Sequence, residues 1–159
     1  MSDSRTGIGY DVHRFGGSGP VILAGVAIDS DVGVLATSDG DVATHALCDA
    51  LLGSVAAGDL GMHFPSSDPQ WQEADSLDLL RICRDKVTDA GYSVGSVDIT
   101  IIVEGVRISP HRDLMARRLA DVLEIPIDRV SVKATTTDGL GWIGTGDGLA
   151  AQAVATVHA

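Results

Sequence analysis

The chain has 159 residues, of which 45% are hydrophobic, and a formal net charge of −11 from 11 Lys and Arg against 22 Asp and Glu. This length and composition are typical of one globular domain with a packed core, and no apolar run approaches the roughly 20 residues of a membrane span. The acidic balance argues against nucleic acid or an anionic membrane surface as a partner, because both require a basic footprint. A small phosphorylated substrate stays compatible with this charge if bound metal ions neutralise its phosphates.

Two features predict a cytoplasmic protein. The N-terminal "MSDSRTG" is polar and has no apolar signal region. The chain has only two cysteines, Cys48 and Cys83, and both fall within helix-like stretches. We therefore expect buried free thiols rather than a disulfide framework.

The first strand is predicted at "IGYDVHRF", residues 8–15. Because successive side chains of a strand point to opposite faces, Asp11 and His13 share one face. The other face carries Ile8, Tyr10 and Val12, which we expect to pack into a core. After a glycine-rich turn, "VILAGVAI" at 21–28 predicts a second strand.

A helix is predicted after "SDGD" at residues 38–41. Ser38 and Asp41 have the spacing of a capping box, and acidic groups are favourable at this end of a helix. The helix covers "VATHALCDALLGSVAAG", where His45 and Asp49 lie four residues apart on one face.

The second half of the chain alternates between helix and strand signals. A loop rich in Gly, Pro, Ser and Asp at 58–76 is typical of a functional or mobile segment. The remaining predicted elements are helices over 76–90 and 109–123 and strands over 96–105 and 129–137, while the alanine-rich tail at 148–159 fits either a strand or a helix. We expect a single α/β or α+β domain over residues 1–159, with a mixed β-sheet covered on one face by about three helices.

The candidate metal ligands are Asp11 and His13 on the first strand and His45 near the start of the first helix. Three nitrogen and oxygen ligands with a fourth position open are typical of catalytic zinc. The alternatives are a simple Asp–His hydrogen bond at a strand end and a solvent-facing helical histidine. Asp39 and Asp41 could cap the helix, orient a ligand imidazole, or do both.

The candidate phosphate-binding segment is "KATTTDGLG" at 133–141. Its threonines supply hydroxyl and backbone N–H donors, and Asp138 is a hard oxygen ligand suited to Mg²⁺ beside phosphates. A threonine-rich strand end followed by a turn explains the same residues. Two further glycine-rich segments, "GDLG" at 58–61 and "GTGDG" at 144–148, fit ribose or anion binding but equally fit ordinary turns.

Taken in order, "DVHRF", "SDGDVATHALCDALLG", "GDLG" with "HFP", and "VKATTTDGLG" resemble the 2-C-methyl-D-erythritol 2,4-cyclodiphosphate synthases of the non-mevalonate isoprenoid pathway. The resemblance extends over about residues 7–157. It implies a homotrimer with active sites between subunits, and a phosphorus–oxygen lyase. The implied reaction converts 4-diphosphocytidyl-2-C-methyl-D-erythritol 2-phosphate into the cyclic diphosphate and releases CMP.

The resemblance also implies a role for individual residues. Zn²⁺ would be held by Asp11, His13 and His45, and Mg²⁺ or Mn²⁺ by Asp138. The implied catalytic residues are Thr136, which matches a threonine that stabilises the transition state, and Thr37. The implied substrate-binding residues are Asp11, His13, Ser38, Asp49, Asp59, Gly61, Phe64, Ser66, Asp68, Arg107, Thr135, Thr136, Asp138, Trp142 and Thr145.

The chain departs from the family pattern at several phosphate-binding positions. Thr37 replaces a histidine, Ser66 an aspartate and Thr145 an arginine. Asp138 replaces a glutamate and Arg107 a lysine, which are milder changes. A lost transition-state donor at position 37 would lower turnover by about one to three orders of magnitude. Without an arginine at 145, we expect weak binding of an isoprenoid diphosphate in the trimer channel.

These departures leave two main hypotheses. The first is an active cyclodiphosphate synthase with an altered phosphate-binding shell. The second is a catalytically impaired, metal-binding trimeric paralogue. A metal-dependent phosphohydrolase is a more distant third.

Overall fold

The computed structural model describes residues 3–159, and within them the strands form a five-stranded sheet and a separate two-stranded sheet. The strands are β1 (Ser4–Phe15), β2 (Val21–Leu23), β3 (Val26–Ile28), β4 (Val34–Leu35), β5 (Ser93–Ile102), β6 (Val130–Thr135) and β7 (Gly148–His158). The helices are α1 (Val42–Ser54), α2 (Leu60–His63), α3 (Ser76–Asp89), α4 (Arg112–Leu123) and α5 (Gly141–Gly144). Single 3₁₀ turns lie at Pro69–Trp71, Ser109–His111 and Ile127–Arg129.

The large sheet has the strand order β4-β1-β7-β5-β6, in which only the β5–β6 pair is parallel. Helix α1 packs on β1 and β7, α3 packs on α1 and β5, and α4 packs on β6 and α3. Leu47, Leu51, Ile99 and Leu149 are completely buried between these layers. The mixed sheet and the α+β class, with three longer helices on one face, confirm the predicted fold.

Helix α1 approaches β1 closely because two glycines lie in the contact. A Cβ atom on Gly9 would lie 1.8 Å from the carbonyl oxygen of Ala46, and one on Gly7 would lie 2.0 Å from that of Ala50. Any other residue at either position would push the helix away from the strand. The glycines therefore set the distance from α1 to the Asp11 and His13 side chains, which lie farther along the same face.

The prediction that the other face of β1 packs into the core is wrong. Ile8, Tyr10 and Val12 are 64%, 57% and 42% exposed. Ile8 pairs with Val154 of β7, which is 37% exposed, so the apolar surface continues onto the next strand. The core instead forms on the side where β1 carries glycine, because only that side receives the helices.

Several element boundaries also differ from the predictions. Residues 21–28 form a hairpin, β2 and β3, because Ala24 and Gly25 adopt positive φ values of 48° and 70° and reverse the chain. The α1 N-cap is Asp41, whose side chain accepts from Thr44 N, whereas Ser38 Oγ accepts from Gly40 N, so no Ser38 capping box forms.

The ambiguous tail forms strand β7 at the centre of the sheet, and short helical turns interrupt the predicted loop at 58–76. Central strands are buried on a helix-covered face, and the small alanines of β7 fit under α1 there. Cys48 and Cys83 are buried free thiols, as predicted. In the part of the chain from residue 3 onward, no helix is long and apolar enough to cross a membrane. The first two residues of the polar N-terminal segment lie outside the described residues.

Candidate active site

Three side chains meet where the start of α1 crosses β1. Asp11 Oδ2 lies 3.1 Å from His13 Nε2 and 3.2 Å from His45 Nδ1. The two imidazole nitrogens are 3.2 Å apart. A tetrahedral zinc site with ligand bonds near 2.1 Å has edges of about 3.4 Å, so this triangle fits one face of such a site. His45 is 5% exposed, which excludes the solvent-facing alternative.

The position of His45 follows from how α1 begins. The fully buried Asp41 carboxylate accepts from Ala24 N and Gly25 N, both at 2.8 Å, and from Thr44 N at 3.0 Å and Thr44 Oγ1 at 2.7 Å. Burial raises the pKa of Asp41, against the effect of these hydrogen bonds. Asp41 thus joins the β2–β3 turn to the first turn of α1, which fixes the helix rotation that aims His45 at β1.

The second nitrogen of His45 contacts a serine that the sequence analysis read only as a helix start. Ser76 Oγ lies 2.9 Å from His45 Nε2. The same hydroxyl is hydrogen-bonded to Asp39 Oδ1, and Ser76 N donates to Asp39 Oδ2 at 2.9 Å. The two carboxylates of "SDGD" therefore differ: Asp41 caps the helix, and Asp39 reaches a ligand imidazole through Ser76.

The candidate ligands perturb one another electrostatically. Burial opposes ionisation of Asp11, but hydrogen bonds from His13 and His45 outweigh it and lower the pKa of Asp11 to about 2. Burial likewise opposes protonation of His45, but the hydrogen bond and charge of Asp11 raise the pKa of His45. Asp11 is therefore a carboxylate at neutral pH, and the site favours a positive charge beside it.

A cavity of about 240 Å³ opens beside the three ligands. It is lined by Asp11, His13, Ala36, Thr37, Ser38, His45, Leu60, Gly61, Phe64, Ser66, Trp71 and Leu79. Eight of the predicted site residues therefore share one cavity. Trp71 was not predicted as a site residue, although an aromatic residue in the same long loop as Phe64 was a usable signal. Phe64 packs edge-on against Trp71 with ring centroids 4.9 Å apart.

Three predicted carboxylates shape the loop beside the cavity instead of lining it. Asp49 Oδ1 accepts from Leu60 N at 2.7 Å, and Asp59 Oδ1 accepts from Met62 N at 2.9 Å. Asp68 Oδ1 accepts from Gln70 N at 3.0 Å. These bonds fix α2 and the following turn, which carry Gly61, Phe64 and Trp71.

The threonine segment lies at the end of β6, and its residues do not line the 240 Å³ cavity. Glu104 holds the turn after it, because Glu104 Oε1 accepts from Thr137 N at 3.1 Å and Gly139 N at 3.3 Å. Asp138 N donates to Thr136 Oγ1 at 3.2 Å. Thr135, Thr136 and Asp138 are thus held together, apart from the metal ligands of the same chain. The role of Glu104 in holding this turn was not predicted from the sequence, because a contact between residues more than 30 positions apart leaves no local pattern.

Arg107 is exposed and also lies outside that cavity. Trp142 lines a second, open cavity of about 680 Å³ together with His13, Phe15 and other residues. Thr145 Oγ1 donates to Asp147 Oδ2 at 2.8 Å, and Asp147 lines this second cavity. His13 borders both cavities, so Trp142 lies on the same side as the candidate metal ligands, whereas Arg107, Thr135, Thr136 and Asp138 line neither cavity.

Comparisons with known proteins identify the family of the chain. A 2-C-methyl-D-erythritol 2,4-cyclodiphosphate synthase of Photobacterium profundum is 51% identical over 155 residues, which cover 98% of this chain and 99% of that protein. The structure of the bifunctional IspDF from Campylobacter jejuni matches with a TM-score of 0.95 at 37% identity, over 99% of this chain but 43% of that longer chain. A CDP complex of IspF from Plasmodium falciparum matches with a TM-score of 0.86 at 31% identity, over 99% of this chain and 97% of that chain.

The sequence pattern of the YgbB family matches residues 4–158. The family pattern, the similar sequences and the similar structures each match nearly the whole length of this chain. The chain therefore belongs to the YgbB family.

Proposed function

We propose that this protein is an active 2-C-methyl-D-erythritol 2,4-cyclodiphosphate synthase, a phosphorus–oxygen lyase whose residues 1–159 form one catalytic domain. It converts 4-diphosphocytidyl-2-C-methyl-D-erythritol 2-phosphate into the 2,4-cyclodiphosphate and releases CMP. The observation that carries this proposal is the triangle of Asp11, His13 and His45 in the lining of a cavity of about 240 Å³. The relatives that bear this name and the CDP-bound neighbour support the choice of substrate.

The donor set supports a choice of metal ions that the residues would hold. Asp11, His13 and His45 offer one oxygen and two nitrogens, which suits Zn²⁺, and Asp138 offers an oxygen suited to Mg²⁺ or Mn²⁺. Held by these residues, such ions would supply Lewis acidity that withdraws charge from phosphate oxygens. An acidic chain needs such cations, because it has few basic side chains to offer a polyanion.

The residues of the cavity position the substrate for an intramolecular reaction. The 2-phosphate is largely ionised at neutral pH, so it attacks without a general base. One of its oxygens forms a bond to the β-phosphorus, and the bond from that phosphorus to the CMP oxygen breaks, with its electron pair leaving on CMP. Thr37 and Ser38 supply hydroxyls at the cavity wall, and Thr136 stabilises the transferring phosphoryl group. Phe64 and Trp71 exclude water, which favours cyclisation over hydrolysis.

The division of the predicted residues into two groups supports a homotrimer. Arg107, Thr135, Thr136 and Asp138 do not line the cavity of their own chain, so a neighbouring subunit brings its copies of them to the metal ligands. The exposed apolar surface of β1 is the expected subunit contact, since large exposed apolar patches mark interaction sites. This assembly would place the cytidine and methylerythritol ends of one substrate on two chains. The two buried free thiols are in keeping with a cytoplasmic location.

The test is ³¹P NMR of the purified protein with the cytidyl substrate, Zn²⁺ and Mg²⁺. We expect CMP and the cyclic diphosphate in equal amounts with the native chain, and neither product with His45→Ala. His158→Ala is the matched control, since His158 contacts Ser4 at the far end of β1, and it should keep the activity. CMP with a linear product would identify a phosphohydrolase. Bound zinc without turnover would identify the impaired paralogue.

A further inference from the structure

We propose that Ser76 and Asp39 are positioning residues that set which nitrogen of His45 is free to bind a metal ion. The Asp39 carboxylate holds the Ser76 hydroxyl, and that hydroxyl accepts the N–H of His45 Nε2. His45 Nδ1 then faces Asp11 and His13 with its lone pair. This inference rests on the proposed metal site and adds the residues that prepare it.

The hydrogen bonds of Ser76 leave one arrangement of protons. Ser76 is completely buried, so water cannot substitute for its protein partners. A carboxylate only accepts hydrogen bonds, and a hydroxyl has a single proton to donate. Both Ser76 donors are directed at Asp39, with Oγ–H on one carboxylate oxygen and the backbone N–H on the other at 2.9 Å. The hydroxyl oxygen therefore presents a lone pair to His45 Nε2 at 2.9 Å, and Nε2 must carry the proton.

The consequence appears on the opposite side of the ring. A neutral imidazole has one N–H, so a proton on Nε2 leaves Nδ1 with a lone pair. Nδ1 lies 3.2 Å from both Asp11 Oδ2 and His13 Nε2. In the neutral ring this lone pair and the Asp11 carboxylate repel one another unless a proton or a metal ion lies between them. The Asp39–Ser76 pair thus favours the form of His45 that a metal ion requires.

Ser38 is the competing partner of Nε2, and the distances favour Ser76. Ser38 Oγ is 3.4 Å from Nε2, beyond the usual range for a strong hydrogen bond, and it also accepts from Gly40 N. Ser76 is the first residue of α3, directly after the loop that carries Phe64 and Trp71. The contact therefore also joins the end of this loop to the metal ligand.

The experiment measures zinc affinity by competition with a chromogenic chelator, in the native chain and in Ser76→Ala. We expect a 10- to 100-fold weaker affinity, the usual effect of removing a partner of a ligating histidine. Ser54→Ala is the matched control, because Ser54 is also buried but its hydroxyl donates to Leu51 O within α1. It should bind zinc like the native chain. In zinc-loaded samples, ¹⁵N-resolved NMR should show a His45 Nε2 proton protected from exchange in the native chain and unprotected in Ser76→Ala.

The outcomes separate the two proposals. A native chain that binds no zinc would overturn the metal assignment. Native zinc binding with equal affinity and equal Nε2 protection in Ser76→Ala would overturn the positioning role alone. If Ser76→Ala does not fold by circular dichroism, Asp39→Asn decides the question. The new amide at position 39 can donate to the Ser76 oxygen, which turns the hydroxyl proton toward His45 Nε2. We therefore expect zinc binding to weaken about tenfold in Asp39→Asn. An unchanged zinc affinity would contradict the positioning role of Asp39 and Ser76.

Discussion

The two faces of β1 differ in both composition and exposure. One face carries Gly7, Gly9, Asp11 and His13, and α1 lies directly on it. The other carries Ile8, Tyr10 and Val12, which stay 42–64% exposed. The covered face is therefore small and polar, and the open face is large and apolar, the reverse of the usual arrangement in a half-buried strand.

This reversal has a chemical reason. A helix that must bring an imidazole within 3.2 Å of a strand carboxylate has to lie close to the strand, and only glycine permits that approach. The large apolar side chains are then excluded from the helix side and must find another partner. In the proposed function, the covered face serves metal binding and the open face is the contact between copies of the chain.

The largest expected effect comes from adding a side chain at Gly9, where α1 contacts the covered face of β1. In Gly9→Ala the new Cβ would meet the Ala46 carbonyl oxygen at 1.8 Å, so α1 must shift. We expect the free energy of unfolding to fall by about 3 kcal/mol, the upper range for overpacking. Denaturant titration measures this loss, and zinc binding should weaken with it because His45 moves with α1.

Gly53→Ala is the matched control for that substitution. Gly53 lies in α1 as well, but a Cβ there would meet only Ile8 O at 4.0 Å. The change should be neutral or stabilising by up to about 1 kcal/mol, since alanine favours helix. Equal stability of Gly9→Ala and Gly53→Ala would show that the close contact is not what sets the helix position.

The second-largest effect is expected on subunit association, from a change on the open face of β1. Tyr10→Asp places a charge in the proposed subunit contact, and we expect association to weaken at least 100-fold, about 2.7 kcal/mol. Sedimentation equilibrium should show the native chain at three times its mass of 16.4 kDa and the variant as a single chain. Turnover should fall as well, because Thr136 would no longer reach a neighbouring metal site.

The control on that face is Ile127→Asp. Ile127 is 47% exposed but precedes β6, at the far edge of the sheet from β1. It should leave the assembly intact. A Tyr10→Asp protein that stays trimeric would remove the open face of β1 from the subunit contact.

A smaller effect is expected within the cavity on the covered side. Thr37 lines this cavity, at a position where the resemblance implies a phosphate-binding histidine. Thr37→His should raise kcat about tenfold, because a charged donor stabilises the transferring phosphate better than a hydroxyl. Thr37→Gln has comparable bulk without charge and should give no gain. No increase with histidine would mean that Thr37 is already suited to its role.

The sequence predicted the chemistry of β1 better than its packing. The period of a strand places Asp11 and His13 together, so this pair followed from a local pattern. His45 was a candidate third ligand, and only the family resemblance implied that it joins them. Which face of β1 is buried could not be predicted, because the same alternation fits either face. Only the tertiary arrangement of α1 decides between the two faces. Ser76 could not be predicted as a partner of His45, since the two residues lie on different helices and are 31 positions apart in sequence.

The smallest effect is expected at an ion pair between β5 and β6. Lys133 Nζ lies 2.7 Å from Asp98 Oδ2, with both side chains about half exposed. Partial burial opposes ionisation of Asp98, but the Lys133 ammonium outweighs it and lowers the pKa of Asp98 below its ordinary value of 3.8. A lowered pKa in the folded state contributes stability above about pH 3.8, and this contribution is lost as the pH falls through the lowered value. Lys133→Met should therefore cost less than about 1 kcal/mol at pH 7, as exposed ion pairs do, and less again at pH 2. Urea titrations at both pH values measure the difference; a larger loss at pH 2 would show that Lys133 contributes through packing of its alkyl chain rather than through its charge.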